Sequence, residues 1–416
     1  MKNDNSSKNK KIVIVVGGGP SGMMAAITAR NSGKEVILIE KNPKLGRKLL
    51  LTGNGRCNIS HSGDISSILS QIPINSKFFS GIYRRFSNND LIEFLNKLNV
   101  TTHTESDGRV FPQSNKAEDL LNALINEIKR VSVKVIYDRV LEIKVINNQV
   151  KSVICSENNE ILCDSIILAT GGMSYPGTGS TGDGHKIAGK LGHNITLLSP
   201  ALVQLYLKDP IIKDLTGISF INVKIVIMNE ENKSIFKGTG EILFTHKGIS
   251  GPVILNGSIH INKLLADRYK LIIDFRPDIE INLLEKTIIN LIDNNSKKSI
   301  QNTLEGIIPR RLLFSLIKRS NIPESRISSE LKKDERRRII DNIKHLELSI
   351  SESGSFEEAM ITTGGISINE INPKTLESRI IKNLFFAGEI LDITGYSGGY
   401  NLQIAFSSGY TAGLNA

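Results

Sequence analysis

Apolar and polar positions change rhythm several times along this chain. The run Lys11-Ile-Val-Ile-Val-Val16 is nearly continuous in β-branched residues and predicts a strand. It leads into Gly17-Gly-Gly-Pro-Ser-Gly22, an alanine-rich stretch from Met23 to Arg30, and a second apolar run, Glu35-Val-Ile-Leu-Ile-Glu40. That order reads as strand, glycine turn, helix, strand.

Beyond a long irregular stretch at 41–58, residues 64–98 read as helical and Ser106-Asp107-Gly108 as a turn before Arg109-Val-Phe-Pro112. Asn115 and Glu118 have capping-box spacing and predict a helix to about Arg130. Short β-rich runs at 133–137, 140–146, 150–155 and 161–163, with Asn147-Asn148 as a hairpin turn, predict a β-meander inserted into the sheet. Ser165-Ile-Ile-Leu-Ala169 is a further buried strand. A second glycine-rich stretch, Gly177-Thr-Gly-Ser-Thr-Gly-Asp-Gly184, precedes a helix ending near Gly192 and is readable as turn chemistry alone.

From His193 to about Glu352 the texture changes. Runs at 202–207, 218–228, 233–237, 241–245 and 270–275 read as strands, followed by Leu-, Ile-, Lys- and Arg-rich helical segments between about 280 and 343. Asn383-Leu-Phe-Phe-Ala387 then restores a buried strand, and Gly398-Gly-Tyr-Asn-Leu-Gln403 opens a helix to about Gly413. The predicted fold class is α/β: a Rossmann-like domain with a β-meander, plus an inserted β-rich, barrel-like domain and a small helical domain. The expected boundaries are 1–192 with 353–416 for the first, 193–277 with 344–352 for the second, and 278–343 for the third.

Composition narrows the class. With 416 residues, 40% hydrophobic and 23% charged, the chain has ample material for buried cores. No apolar run approaches the roughly 20 residues that span a bilayer, and Met1–Lys10 is polar and lysine-rich, so a cytoplasmic protein with a frayed tail and no membrane partner is expected. Cys57, Cys155 and Cys163 show neither CxxC nor metal-ligand spacing, which argues against a disulfide framework, a zinc site or paired-cysteine redox chemistry. A net charge of +10 raises the question of RNA. The excess sits in runs such as Arg310-Arg311, Lys332-Lys333 and Arg336-Arg337-Arg338, there is no Trp, and only 5% of residues are aromatic. A solvated helical face therefore explains the charge better than nucleic acid does. Nothing fixes the oligomeric state.

The candidate chemistry gathers at the glycines. In Gly17-x-Gly19-x-x-Gly22, the first permits the tight turn, the second lets backbone approach a pyrophosphate, and the third lets helix pack on strand. The helix beyond Pro20 and Ser21 points its free N–H groups at the phosphates. Glu40, 18 residues after Gly22, is placed to accept from ribose hydroxyls and to repel a 2′-phosphate, which disfavours NADP. In the 46–58 loop, Gly53 brings backbone close to a ligand, Arg47, Lys48 and Arg56 supply positive charge, and Asn54 and Asn58 offer donors and acceptors to a heterocycle. Thr170-Gly171-Gly172 lies at the carboxyl end of a strand, where open α/β sheets hold ligands, and Gly388-Glu389 follows a similar run. His246, in a loop after a strand, is a candidate proton shuttle. No second GxGxxG with a trailing acid occurs, so no separate NAD domain is encoded.

Together these strand ends resemble an FAD-binding protein of the glutathione-reductase structural class. More narrowly, over nearly its full length the chain resembles the BaiN/YhiN-like, or aminoacetone-oxidase-like, FAD-dependent oxidoreductases. The resemblance rests on Gly17–Gly22, Gly46-Arg-Lys-Leu-Leu-Leu-Thr-Gly-Asn-Gly-Arg-Cys-Asn58, Gly108–Pro112, Ala169–Gly172, Leu243–Pro252 and Ala387 through Gln403. It implies extended FAD with its pyrophosphate at Gly17–Gly22, its ribose on Glu40 beside Lys41, and its adenine near Val140. It places the isoalloxazine ring between the 46–58 loop and the helix start at Gly399, Asn401, Leu402 and Gln403. Arg56 and that helix end are candidates for tuning the flavin, and His246, Tyr175 and Tyr396 for proton donors or substrate contacts.

The expected function is an FAD-dependent oxidoreductase moving an electron pair between FAD and a small organic substrate, with O2 or transiently docked NAD(P)H as the second partner. Two other readings stay open at this point: an RNA-associated flavoprotein of the tRNA-modifying type, and a flavin-binding protein without turnover.

Overall fold

Val13, Ile14 and Val15 are fully buried, as an apolar run in the middle of a sheet requires. The computed structural model describes residues 10–157 and 159–416, so the expected frayed tail lies outside the described residues. The chain divides into two compact units, residues up to Ser199 with Ala359–Ala416, and Pro200–Glu358.

In the first unit five parallel strands lie in the order Leu384–Phe386, Ser165–Leu168, Ile12–Val16, Glu35–Glu40, Lys134–Tyr137. The run at 133–137 therefore joins the parallel sheet beside Glu35–Glu40 and is not part of a meander. Only Val140–Ile146, Gln149–Cys155 and Glu160–Leu162 form the antiparallel three-stranded sheet. Asn147 and Asn148 both take positive φ, 51° and 56°, as a tight two-residue hairpin demands.

Helix Pro20–Asn31 packs along helix Tyr400–Asn415 through small residues. A Cβ on Gly409 would stand 2.3 Å from the Ser21 carbonyl oxygen, and one on Gly413 2.4 Å from that of Ala25. The two backbones touch, which leaves no space for larger side chains. Residues 65–97 form three helices, Ile65–Ser70, Ser76–Tyr83 and Asn88–Lys97, the last with a capping box between Ser87 and Asp90. The box expected at Asn115 does not form. Asn115 has φ +55°, its helix begins at Ala117, and its side-chain oxygen accepts from Arg56. The stretch expected to be irregular holds a 3-10 turn, Leu49–Gly55, broken at Thr52, Gly53 and Asn54.

The second unit is a closed antiparallel barrel of six strands: Leu205–Leu207, Gly248–Ser250, Ser234–Phe244, Ser219–Met228, Lys270–Asp274 and Leu346–Ser353. The two runs at 233–237 and 241–245 are one strand, carried through Gly238 and Gly240 where Val253 packs against the backbone. Helices Ile281–Asn294, Arg310–Arg319 and Lys333–Lys344 contribute Ile288, Leu316 and Ile343 to the same apolar core as barrel residues Ile225, Ile273 and Leu348. Lys344, almost buried, pairs with Asp274 at 2.8 Å and donates to the carbonyls of Arg276 and Ile279.

Candidate cofactor site

The first unit holds a pocket lined in part by the glycine turn. Gly17 takes φ +107°, and a Cβ there would meet the Ala169 carbonyl oxygen at 2.5 Å. On Gly22 it would meet the Gly17 carbonyl oxygen at 1.8 Å. Both are closed by backbone. Gly19 differs, since an added Cβ would find no atom within 4 Å and would project into open space at the pocket wall. Gly19 caps helix Pro20–Asn31, whose first intrahelical donor is Met23, so the N–H groups of Ser21 and Gly22 belong to its unsatisfied first turn.

Glu40 is 8% exposed and lines the pocket. One carboxylate oxygen accepts from the Gly18 N–H at 2.7 Å, and the other from the Asn42 N–H and side-chain amide at 2.8 and 2.7 Å. The residue expected to read a ribose thus also fixes the turn. Beyond it, Lys41 Nζ donates to Thr181 Oγ1 at 2.6 Å and to Asp183 at 2.8 Å, and Arg139 donates to the other Asp183 oxygen at 2.9 Å. Burial pushes the Asp183 carboxyl up, but the hydrogen bonds from Lys41 and Arg139 outweigh it and hold the group below the usual range.

Lys48 and Glu389 also line the pocket, and Lys48 Nζ donates to Ser174 Oγ at 2.6 Å and to Glu389 at 3.0 Å. Glu389 also accepts from Ser174 Oγ and from the Thr362 N–H, so four hydrogen bonds converge on one carboxylate. Thr170 stands at this wall with its buried Oγ1 lacking a hydrogen-bond partner among the described residues. The lining also includes the apolar residues Leu49, Ile361, Ile393 and Leu402, the last in the first turn of helix Tyr400–Asn415.

Of the residues singled out by sequence, Gly17, Gly19, Pro20, Ser21, Glu40, Lys41, Arg47, Lys48, Val140, Thr170, Gly171, Glu389, Asn401 and Leu402 line this pocket together. Gly22, Gly53, Asn54, Arg56, Asn58, Gly172, Gly388, Gly399 and Gln403 do not. Gln403 is 1% exposed and is consumed by Ser60, Ser407 and the Phe86 carbonyl. Gly172 and Gly388 are walled by Thr362 and Ser21, and Gly399 (φ +96°) abuts the Ser60 carbonyl. The Asn401 amide clamps Gly395, giving 2.7 Å and accepting 2.9 Å, so it shapes the loop before the helix.

Arg56 is turned to Glu105 at 2.6 Å and to Asn115, with its guanidinium 4.0 Å above the Phe111 ring. Tyr396 lies before the last helix, half-buried, and burial raises its hydroxyl above the ordinary value. Tyr175 holds φ +51° ahead of the short turn Pro176–Thr178. His246 belongs to the second unit, exposed on the turn between strands Ser234–Phe244 and Gly248–Ser250. Sequence reading missed Asn42, Arg139, Ser180 and Asp183. The available signal for Arg139 was its place at the carboxyl end of a parallel strand, obscured because 133–137 was read as meander.

This donor set fits FAD. A glycine turn that is open at Gly19 meets a helix N-terminus, and the apolar lining residues Leu49, Ile361, Ile393 and Leu402 suit a flat heterocycle. Among the described residues there is no cluster able to hold a metal ion, and no helix long and apolar enough to cross a membrane.

Comparison with known proteins makes the chain an FAD-dependent oxidoreductase. The family described as HI0933-like protein Rossmann domain matches residues 11–415, and the chain belongs to that family. It is 33% identical over 402 residues to the 3-dehydro-bile acid delta(4,6)-reductase of Clostridium scindens, covering 95% of this chain and 96% of that protein. It is 30% identical over 393 residues to the ribosomal RNA dihydrouridine synthase of Escherichia coli, covering 94% of each. Among solved structures, 3-ketosteroid delta1-dehydrogenase from Sterolibacterium denitrificans aligns over 97% of this chain and 99% of that one, with TM-score 0.53 and 13% identity, a likeness of fold.

Proposed function

We propose that this chain uses FAD to reduce a carbon–carbon double bond conjugated to a carbonyl group. The observation that carries the reading is the agreement in chemistry between relatives that match nearly the whole length. One is named for a steroid dienone and the other for a uridine ring, yet each saturates an alkene joined to a carbonyl. FAD, when bound, supplies the hydride-transfer chemistry. The chain's part is to bind and orient: Gly17–Ser21 takes the pyrophosphate, Leu49, Ile361, Ile393 and Leu402 exclude water, and the start of helix Tyr400–Asn415 favours negative charge. Tyr396 is the candidate for delivering the balancing proton. NAD(P)H, lacking a domain of its own here, docks transiently as donor.

The substrate is a small organic enone. A second reading, uridine within RNA, is favoured by the name of the Escherichia coli relative. Anaerobic flavin reduction by NADH or NADPH, followed by mixing with a steroid dienone, with ribosomal RNA, or with O2, tests both. Reoxidation by the dienone supports the first reading. Reoxidation by RNA with formation of dihydrouridine, weakened steeply by salt, supports the second. Reoxidation by O2 alone overturns both and marks an oxidase.

A further inference from the structure

The second glycine-rich stretch borders the pocket. Thr178, Gly179, Ser180 and Asp183 line it, and so do Lys41 and Asn42. The two segments are stitched by side chains. Asn42 donates its amide to the Thr178 carbonyl at 3.1 Å, Lys41 reaches Thr181 and Asp183, and Arg139 reaches Asp183 from a third segment. The segment is anchored at its start, where the N–H groups of Met173 and Ser174 donate to Thr362 Oγ1, and at its end by helix Asp183–Lys190.

Between those anchors the backbone takes three left-handed positions in eight residues, Tyr175, Gly179 and Gly182. Gly179 holds φ +108°, a conformation that favours glycine, and an added Cβ would come within 2.3 Å of the Asn42 amide nitrogen. The stretch therefore lies down on Asn42 only as glycine allows, and ion pairs and hydrogen bonds hold it there.

We infer that residues 175–182 form a strap over the adenosine half of the pocket, latched by Lys41–Asp183–Arg139, and that unlatching sets the rate at which the dinucleotide leaves. The inference rests on the reading that the pocket takes FAD. Lys41 and Asp183 are three-quarters or more removed from solvent, whereas Arg139 is half exposed, so Lys41 is the stronger arm and the latch as a whole weakens with salt.

The holoprotein is chased with excess ADP-ribose, and released FAD is followed by its fluorescence. Asp183→Asn is expected to speed release about tenfold and to flatten the rise with ionic strength shown by the unsubstituted protein. Hydrogen exchange at residues 175–182 of the unsubstituted holoprotein is a second measure, and those amides are expected to open at the rate of FAD release. An unchanged release rate in Asp183→Asn, or strap amides that exchange far faster than FAD leaves, overturns the strap. A refolded apoprotein that takes up no FAD overturns the cofactor reading and the strap with it.

Discussion

Two glycine-rich stretches border the same pocket and are held by opposite means. At Gly17–Gly22 the missing side chains make room for backbone, the Ala169 and Gly17 carbonyls standing 2.5 and 1.8 Å from the absent Cβ atoms. At Gly177–Gly184 the neighbours are side chains: the Asn42 amide at Gly179, Met173 at Gly182 and Thr170 Oγ1 at Gly184. Backbone cannot move aside without unmaking the sheet, whereas a side chain rotates. The first stretch is thus part of the fold, and the second is fastened to it.

Gly22→Val attacks the first stretch where it is most closed. It is expected to cost about 3 kcal/mol or more and to leave little folded protein in a thermal melt. Normal melting of that variant would mean that the turn yields as easily as the strap. Gly19→Val adds its methyl groups to open space, so the apoprotein should lose no more than about 1 kcal/mol of stability. It should nonetheless carry no FAD, measured as flavin freed on denaturation; stoichiometric flavin would remove the pyrophosphate from this turn.

The strap is sharpened by acid. Hydrogen bonds from Lys41 and Arg139, against an opposing push from burial, depress Asp183 below its unfolded value. A depressed carboxyl contributes stability that is complete above the unfolded pKa, about 3.9, and is lost as pH falls through the folded one. FAD release should therefore be flat from about pH 5 to 8 and accelerate below about pH 4. A step near neutrality would mean that some other group holds the strap. The smallest effect belongs to Gly177→Ala. No atom lies within 4 Å of the added Cβ and φ is not left-handed, so about 0.4–1 kcal/mol of stabilisation is expected, with release slowed about twofold.

The same contrast explains what sequence made visible. Strand Ile12–Val16, helix Pro20–Asn31 and strand Glu35–Glu40 follow from local pattern, because buried apolar runs and a glycine turn leave one arrangement open. The closed barrel was readable only as a β-rich stretch, since closure depends on pairing Leu205–Leu207 with Leu346–Ser353, far apart in sequence. Asn115 looked like a helix cap because capping is a local signal, and a distant Arg56 claimed its side chain instead. Gln403 looked like a ligand contact because it sits at a helix start. Its amide was already spoken for by Ser60, Ser407 and Phe86, none of them visible from its neighbours.

Helix Pro20–Asn31 cannot be properly seated without helix Tyr400–Asn415, whose Gly409 and Gly413 rest on the backbone at Ser21 and Ala25. On the ribosome Tyr400 follows Pro20 by 380 residues, roughly 20–80 s of synthesis. Throughout that interval the phosphate turn exists as sequence but lacks its support. The small-residue face of helix Pro20–Asn31 is completed only when helix Tyr400–Asn415 has been made.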